Sequence, residues 1–191
     1  PVFRKAVQIA KPGETNTFGV FDGGFAAVEA EYVFEVAKDA PVGQMRWSMS
    51  ETAELAGRMH VGVEMAGSPL ATINLLGPTV VVSDFGNNAG LILGPEIADW
   101  RTLPLSDLVA ETFIDGVSVG QGSAANLTGG PLASLSFVAE LCAARGRPLK
   151  KGMLISTGAA TGIHDIKAGQ SARMEFKGLG TILCSAHLRT A

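Results

Sequence analysis

The segment FAAVEAEYVFEV, residues 25–36, constrains the fold of this chain more than any other stretch. Its even positions (Ala26, Val28, Ala30, Tyr32, Phe34 and Val36) are apolar, while Glu29, Glu31 and Glu35 fall on odd positions. A period of two is the signature of a β-strand, because successive side chains point to opposite faces of the sheet. The alternation predicts a strand with its even face on a core and its carboxylates on the other face.

The rest of the chain reads as short elements between turns. Ser48 and Glu51 have capping-box spacing, which predicts a helix over 49–59. VGVEM, 61–65, reads as a short strand carrying Glu64, and TVVV, 79–82, as an extended run into the polar loop Ser83–Asn88. Asp115-Gly116 between two extended runs predicts a tight hairpin. PLASLSFVAELCAARG has Pro131 at its first turn and Gly146 just past its end, as a helix should. Strands are expected at 154–156, 172–176 and 181–187. No internal repeat or linker is apparent, so residues 1–191 read as one strand-dominated α+β domain with about two helices of useful length.

Composition excludes several function classes. With 47% hydrophobic and 17% charged residues, the chain is that of a folded protein, and 24 glycines and nine prolines suit many tight turns. Net charge is −3 with no basic stripe, which argues against a nucleic-acid partner. Cys142 and Cys184 form no C-x-x-C pair and read as free thiols of a reducing compartment. No apolar run is long enough to span a bilayer and no secretory pattern opens the chain, so no membrane partner and a cytoplasmic location are expected.

Few residues remain to carry chemistry. Glu29 and Glu31, two apart on a strand, share a face with α-carbons roughly 6–7 Å apart. Such a pair can converge on a hard cation such as Mg²⁺ or Mn²⁺, and the same pair is ordinary on a solvated strand face. Glu64 lies among small and apolar residues, where a charge asks for a partner or a metal, although an edge glutamate also reaches water. Asp84 enters an Asn- and Gly-rich turn; it suits either a turn residue or a carboxylate at the mouth of a site. His164 follows STGAATGI, whose backbone N–H groups and hydroxyls suit an anionic ligand. His60 and His187 read as structural or exposed. Neither a dinucleotide fingerprint nor a serine-hydrolase elbow is present.

Taken in order, VEAEYVF (28–34), VEMAGS (63–68), SDFGNNAGLILG (83–94), GGPLASLSFVAEL (129–141), LKKGMLISTGAATG (149–162) and AGQ (168–170) resemble the 2-keto-4-pentenoate hydratase family. This is the hydratase and decarboxylase branch of the fumarylacetoacetate hydrolase superfamily. The resemblance implies a strand-rich mixed β-sandwich or roll with a few flanking helices. It implies Glu29, Glu31 and Glu64 as ligands of Mg²⁺ or Mn²⁺. Asp84 would orient substrate or a catalytic water, and Ser68, Thr157 and Gly158 would lie close to metal and substrate. His164, not a general family feature, is a further catalytic candidate and hints at a different substrate. The family's upstream G-x-K-x-G-type segment is not found, so the N-terminal portion is expected to be absent from this chain. Lys5 is not given that segment's role.

The activity implied is hydration of a 2-hydroxy-2,4-dienoate, such as 2-hydroxypenta-2,4-dienoate, to a 4-hydroxy-2-oxo acid in aromatic-compound degradation. A 4-oxalocrotonate-type decarboxylase, a carbon–carbon hydrolase and a non-catalytic homologous subunit are the alternatives. The residue set does not separate the first three. A second substrate carboxylate would need a cation, for which Arg58, Arg101 and Lys150 are candidates. A homo-oligomer is expected by the same resemblance, with association to an enzyme of the same pathway as a further expectation.

Overall fold

The computed structural model describes residues 7–189; Lys5 lies outside them. The chain opens with β1 (Val7–Ile9) and β2 (Thr15–Val20), then forms β3 (Phe25–Val36) over the span that the alternation predicts. Helix α1 (Met49–Leu55) carries the Ser48–Glu51 capping box and passes directly into β4 (Ala56–Ser68). Helix α2 (Pro78–Ser83) leads to β5 (Asn88–Glu96), and β6 (Val109–Ile114) turns into β7 (Val117–Ser123). Helix α3 (Gly130–Ala144) is followed by β8 (Leu154–Ala159), β9 (His164–Asp165), β10 (Ser171–Phe176) and β11 (Gly180–Leu188).

These strands make two mixed sheets. The first runs β1-β5-β4-β3-β8, with β9 also on β3; the second runs β2-β11-β10-β6-β7. Each has one parallel pair, β1 with β5 and β2 with β11, and the remaining pairs are antiparallel. This is the strand-rich α+β sandwich or roll expected from the sequence, and neither sheet closes into a barrel.

The core explains the arrangement. Val28, Ala30, Tyr32 and Phe34 of β3 join Met174 and Phe176 of β10 and Ile182 of β11 in one buried cluster. The rings of Tyr32 and Phe176 meet edge-on at 5.9 Å, and the Tyr32 hydroxyl donates to the Leu108 carbonyl at 2.5 Å. A buried tyrosine needs that acceptor, because its hydroxyl has left water. At the β6–β7 hairpin Asp115 and Gly116 both have positive φ, 48° and 81°, as a two-residue type I′ turn requires.

Three expectations are corrected. The helix at 49–59 ends at Leu55, and His60 and VGVEM belong to the thirteen-residue β4. Met59, Val61, Val63 and Met65 are all buried and pair along β3, so the period of two overrides the helical reading. TVVV lies in α2 instead of an extended run, because Gly77 and Pro78 start a helical turn there. Among the described residues only α3 is a long helix, at 15 residues, where about two of useful length were expected.

Tyr32→Phe should lower stability by about 1–2 kcal/mol, the cost of a lost bond and a buried acceptor left unpaired. Urea denaturation checks this: the midpoint should fall with the slope unchanged.

Candidate functional site

Glu29 of β3 and Glu64 of β4 stand directly opposite each other in the antiparallel register, and Glu31 stands opposite Gly62. All three glutamates line one cavity of about 680 Å³. They occupy the face of β3 opposite to Tyr32 and Phe34. Like charges directly across a strand pair are destabilising, so this pairing is costly unless something offsets it. Gly62 keeps the neighbouring position clear: a Cβ there would lie 2.7 Å from Val33 Cγ2.

Two of the carboxylates, Glu29 and Glu31, show the strain of that placement. Glu31, 2% exposed, accepts hydrogen bonds from the Ser156 hydroxyl and, at 2.8 Å, from the Gly158 N–H. Burial, with the Glu64 charge second, nevertheless drives its pKa upward. For Glu29, burial and then Glu64 raise the value to about 7. Glu64 accepts from Asn88 Nδ2 at 2.7 Å. Glu31 and Glu64 are turned onto these donors, and among the described residues no three His, Cys, Asp or Glu side chains are gathered tightly enough to ligate one ion as they stand.

Three elements complete the cavity. One face of α3 supplies Ala133, Ser134, Phe137 and Val138, the middle and end of β8 supply Ser156, Thr157 and Gly158, and the turn before β5 supplies Gly86 and Asn87. That turn is strained: Phe85, Gly86 and Asn87 have φ of 52°, 67° and 51°. Non-glycine residues rarely adopt such values, and strain of this kind persists only where neighbours hold it. Here Asn87 Nδ2 donates to Asn74 Oδ1 at 2.9 Å, and the Asn87 N–H donates to the Asp84 carbonyl at 2.8 Å.

Comparison with known proteins shows what the chain resembles. No family model matches the chain. A 4-oxalocrotonate decarboxylase from Pseudomonas sp is 32% identical over 104 residues, covering 53% of this chain and 39% of that protein. The Pseudomonas putida enzyme of the same name is 29% identical over 102 residues, with the same two coverages. The match thus spans about two-fifths of the length of these relatives. Among solved structures, 4-oxalocrotonate decarboxylase from Pseudomonas putida G7, complexed with magnesium and adipate, superposes with a TM-score of 0.79 at 21% identity. That alignment covers 94% of this chain and 66% of the other. Fumarylpyruvate hydrolase from Pseudomonas aeruginosa, in complex with Mn²⁺ and pyruvate, superposes with a TM-score of 0.68 at 15% identity, covering 96% of this chain and 75% of that one.

The chain is thus similar in sequence to 4-oxalocrotonate decarboxylases over about half of its length, and it shares the fold of that enzyme and of fumarylpyruvate hydrolase.

In this chain the expected site residues divide into two groups. Glu29, Glu31, Glu64, Thr157 and Gly158 come together around the cavity. Thr157 and Gly158 act on the protein itself: the Thr157 hydroxyl donates to the Tyr32 carbonyl at 2.7 Å and the Gly158 N–H to Glu31. Ser68, Asp84 and His164 are not among the residues lining it. Ser68 is buried at the end of β4 and accepts from the Leu70 N–H at 3.1 Å. Asp84 ends α2 beside the strained turn, with Oδ2 buried and no hydrogen bond to it among the described residues. His164 pairs with Val28 and its Nε2 lies 3.0 Å from the Thr161 carbonyl. Sequence reasoning missed Ser156, Asn88 and the α3 wall. Ser156 and Asn88 sit inside the segments that carry the family resemblance, but only the fold aims them at Glu31 and Glu64.

Glu29 gives a pH prediction for the ion-free chain. Its folded pKa, about 7, lies above the ordinary 4.5, so the stability it contributes is full below 4.5 and is lost as pH rises through 7. The loss is on the order of 2 kcal/mol after allowing for partial exposure. In chelator, the thermal midpoint of the parent should fall between pH 5 and 8 more steeply than that of Glu29→Gln. Equal slopes would show that Glu29 ionises freely.

Proposed function

We propose that this chain is the metal-holding body of a divalent-metal-dependent lyase that hydrates a 2-hydroxy-2,4-dienoate to a 4-hydroxy-2-oxo acid. The observation that carries the proposal is the direct opposition of Glu29 and Glu64 across β3 and β4, with Glu31 beside them on one cavity. A divalent cation removes the repulsion that this register otherwise imposes. Three carboxylates suit a hard, oxygen-seeking ion, so Mg²⁺ or Mn²⁺ is the cofactor proposed, in keeping with the ions in the two structural relatives. When bound, such an ion supplies positive charge against the negative charge that develops on a 2-oxo acid during reaction.

The chain's own residues prepare that site. Ser156 and the Gly158 N–H hold Glu31, and Asn88 holds Glu64, so the carboxylates are aimed by a second layer of donors. The α3 face adds an apolar lining of Ala133, Phe137 and Val138 to the same cavity. The relatives favour a second reading on the same residues, release of CO₂ by a 4-oxalocrotonate-type decarboxylase.

Calorimetric titration of Mn²⁺ in the presence of oxalate tests the site. The parent should bind, Glu29→Gln should bind about 100-fold more weakly, and Ser156→Ala about tenfold more weakly. A folded parent that binds no Mn²⁺ sinks the proposal. With metal bound, consumption of 2-hydroxypenta-2,4-dienoate without CO₂ release supports the hydratase, and CO₂ release from 4-oxalocrotonate supports the second reading.

A further inference from the structure

On the reading that Glu29, Glu31 and Glu64 hold an ion, the aim of Glu31 bears on how tightly they hold it. The Gly158 N–H that meets Glu31 lies on a segment that ends β8 and rejoins β3 as β9. Ala159 stands opposite Glu31 and His164 opposite Val28, so five steps along this segment match three along β3. The surplus loops out of the ladder over residues 160–163. Its start is tied back by the Ala160 N–H, which donates to the Ala30 carbonyl at 2.8 Å.

The loop meets β7 of the second sheet. A Cβ on Gly122 would overlap the Ala160 carbonyl oxygen, and one on Gly120 would lie 2.6 Å from the Thr161 carbonyl oxygen and 2.5 Å from His164 Cε1. Neither glycine is among those with positive φ, so close approach, and not backbone freedom, is what requires glycine at both. Residues two apart on a strand share a face, so Gly120 and Gly122 form a bare shelf under the loop. Thr112 of β6, fully buried, has its hydroxyl 2.8 Å from that of Thr161. His164 Nε2 lies 3.0 Å from the Thr161 carbonyl; a carbonyl can only accept, so this nitrogen carries the hydrogen. The loop is thus held by β3, β6 and β7, with the imidazole as a strut across its mouth.

We propose that Gly120, Gly122 and His164 are positioning residues of the metal site, seating residues 160–163 so that the Gly158 N–H stays on Glu31. They touch neither ion nor substrate and act through the backbone. Gly158 is two residues from Ala160, and its φ of 116° is open to glycine but not to other residues without strain. It is the hinge through which a displaced Ala160 turns the N–H off the carboxylate.

Amide hydrogen exchange at Gly158 reads the seat in the ion-free chain, and calorimetric titration of Mn²⁺ with oxalate reads its effect on the site. In Gly122→Ala the Gly158 amide should exchange about tenfold faster, and Mn²⁺ should bind about tenfold more weakly. His164→Ala, which leaves a gap in place of an overlap, should act in the same direction and decides the matter if Gly122→Ala does not fold. His164→Gln, which keeps a donor for the Thr161 carbonyl, should recover most of that loss. Gly116→Ala is strained at φ 81° in the same hairpin but meets nothing within 4 Å, so it should keep the parent's Mn²⁺ affinity. Parent-like Mn²⁺ affinity in Gly122→Ala and His164→Ala overturns the proposal, and so does an equal loss in Gly116→Ala, the mark of general loosening. A parent that binds no Mn²⁺, although Gly122→Ala frees its Gly158 amide, overturns the metal reading and leaves the seat standing.

Discussion

The opposition of Glu29 and Glu64 is the constraint on which the site depends. Two carboxylates are held face to face across adjacent strands, with a third two residues along. Left to themselves they would separate, because directly opposed like charges cost up to about 1 kcal/mol on a strand pair and more where water is excluded. The other face of β3 prevents separation. Val28, Ala30, Tyr32 and Phe34 are each fully buried, and such a side chain contributes about 1.5–3 kcal/mol when taken out of water. The hydrophobic side of the strand outweighs the electrostatic side, so the core holds the acids where chemistry can use them.

Helix α3 is divided in the same way. Leu135, Ala139 and Cys142 point into the core cluster, while Ala133, Ser134, Phe137 and Val138 line the cavity. Packing of the first set against the sheets places the second set opposite the glutamates. The strained turn at 85–87 closes another side, its left-handed backbone held by Asn74 and Asp84. Rigid elements thus surround Glu29 and Glu31, whose ionisation burial already makes difficult.

How much of this was legible depended on whether a signal was local. The β3 alternation, the Ser48–Glu51 cap, the Asp115-Gly116 turn and the Pro131–Gly146 frame of α3 each carry their meaning within a few residues, and each was read correctly. The change from α1 to β4 was not, because Met59, Val61 and His60 suit a continued helix until β3 is known to lie alongside. β5 was missed since its opening Asn88-Ala89-Gly90 resembles a loop. The glutamates could be named from the resemblance, yet the opposition of Glu29 to Glu64 is a matter of strand register, which no single segment contains. The α3 wall escaped notice because its cavity face is nearly as apolar as its core face. Ser68, Asp84 and His164 had plausible local settings, and the fold places none of them on the cavity lining.

The two-sidedness of β3 also bears on how the chain finds its structure. A one-residue shift of β3 against β4 would turn every side chain to the opposite face. Glu29 and Glu31 would then enter the space between the sheets, and Tyr32 and Phe34 would leave it. Such a misaligned sheet is penalised twice, by unsolvated acids inside and by lost aromatic packing. The acidic row therefore serves the fold as a proofreader of alignment, so removing its charge should make β3 less particular about its partner even where it makes the finished protein more stable.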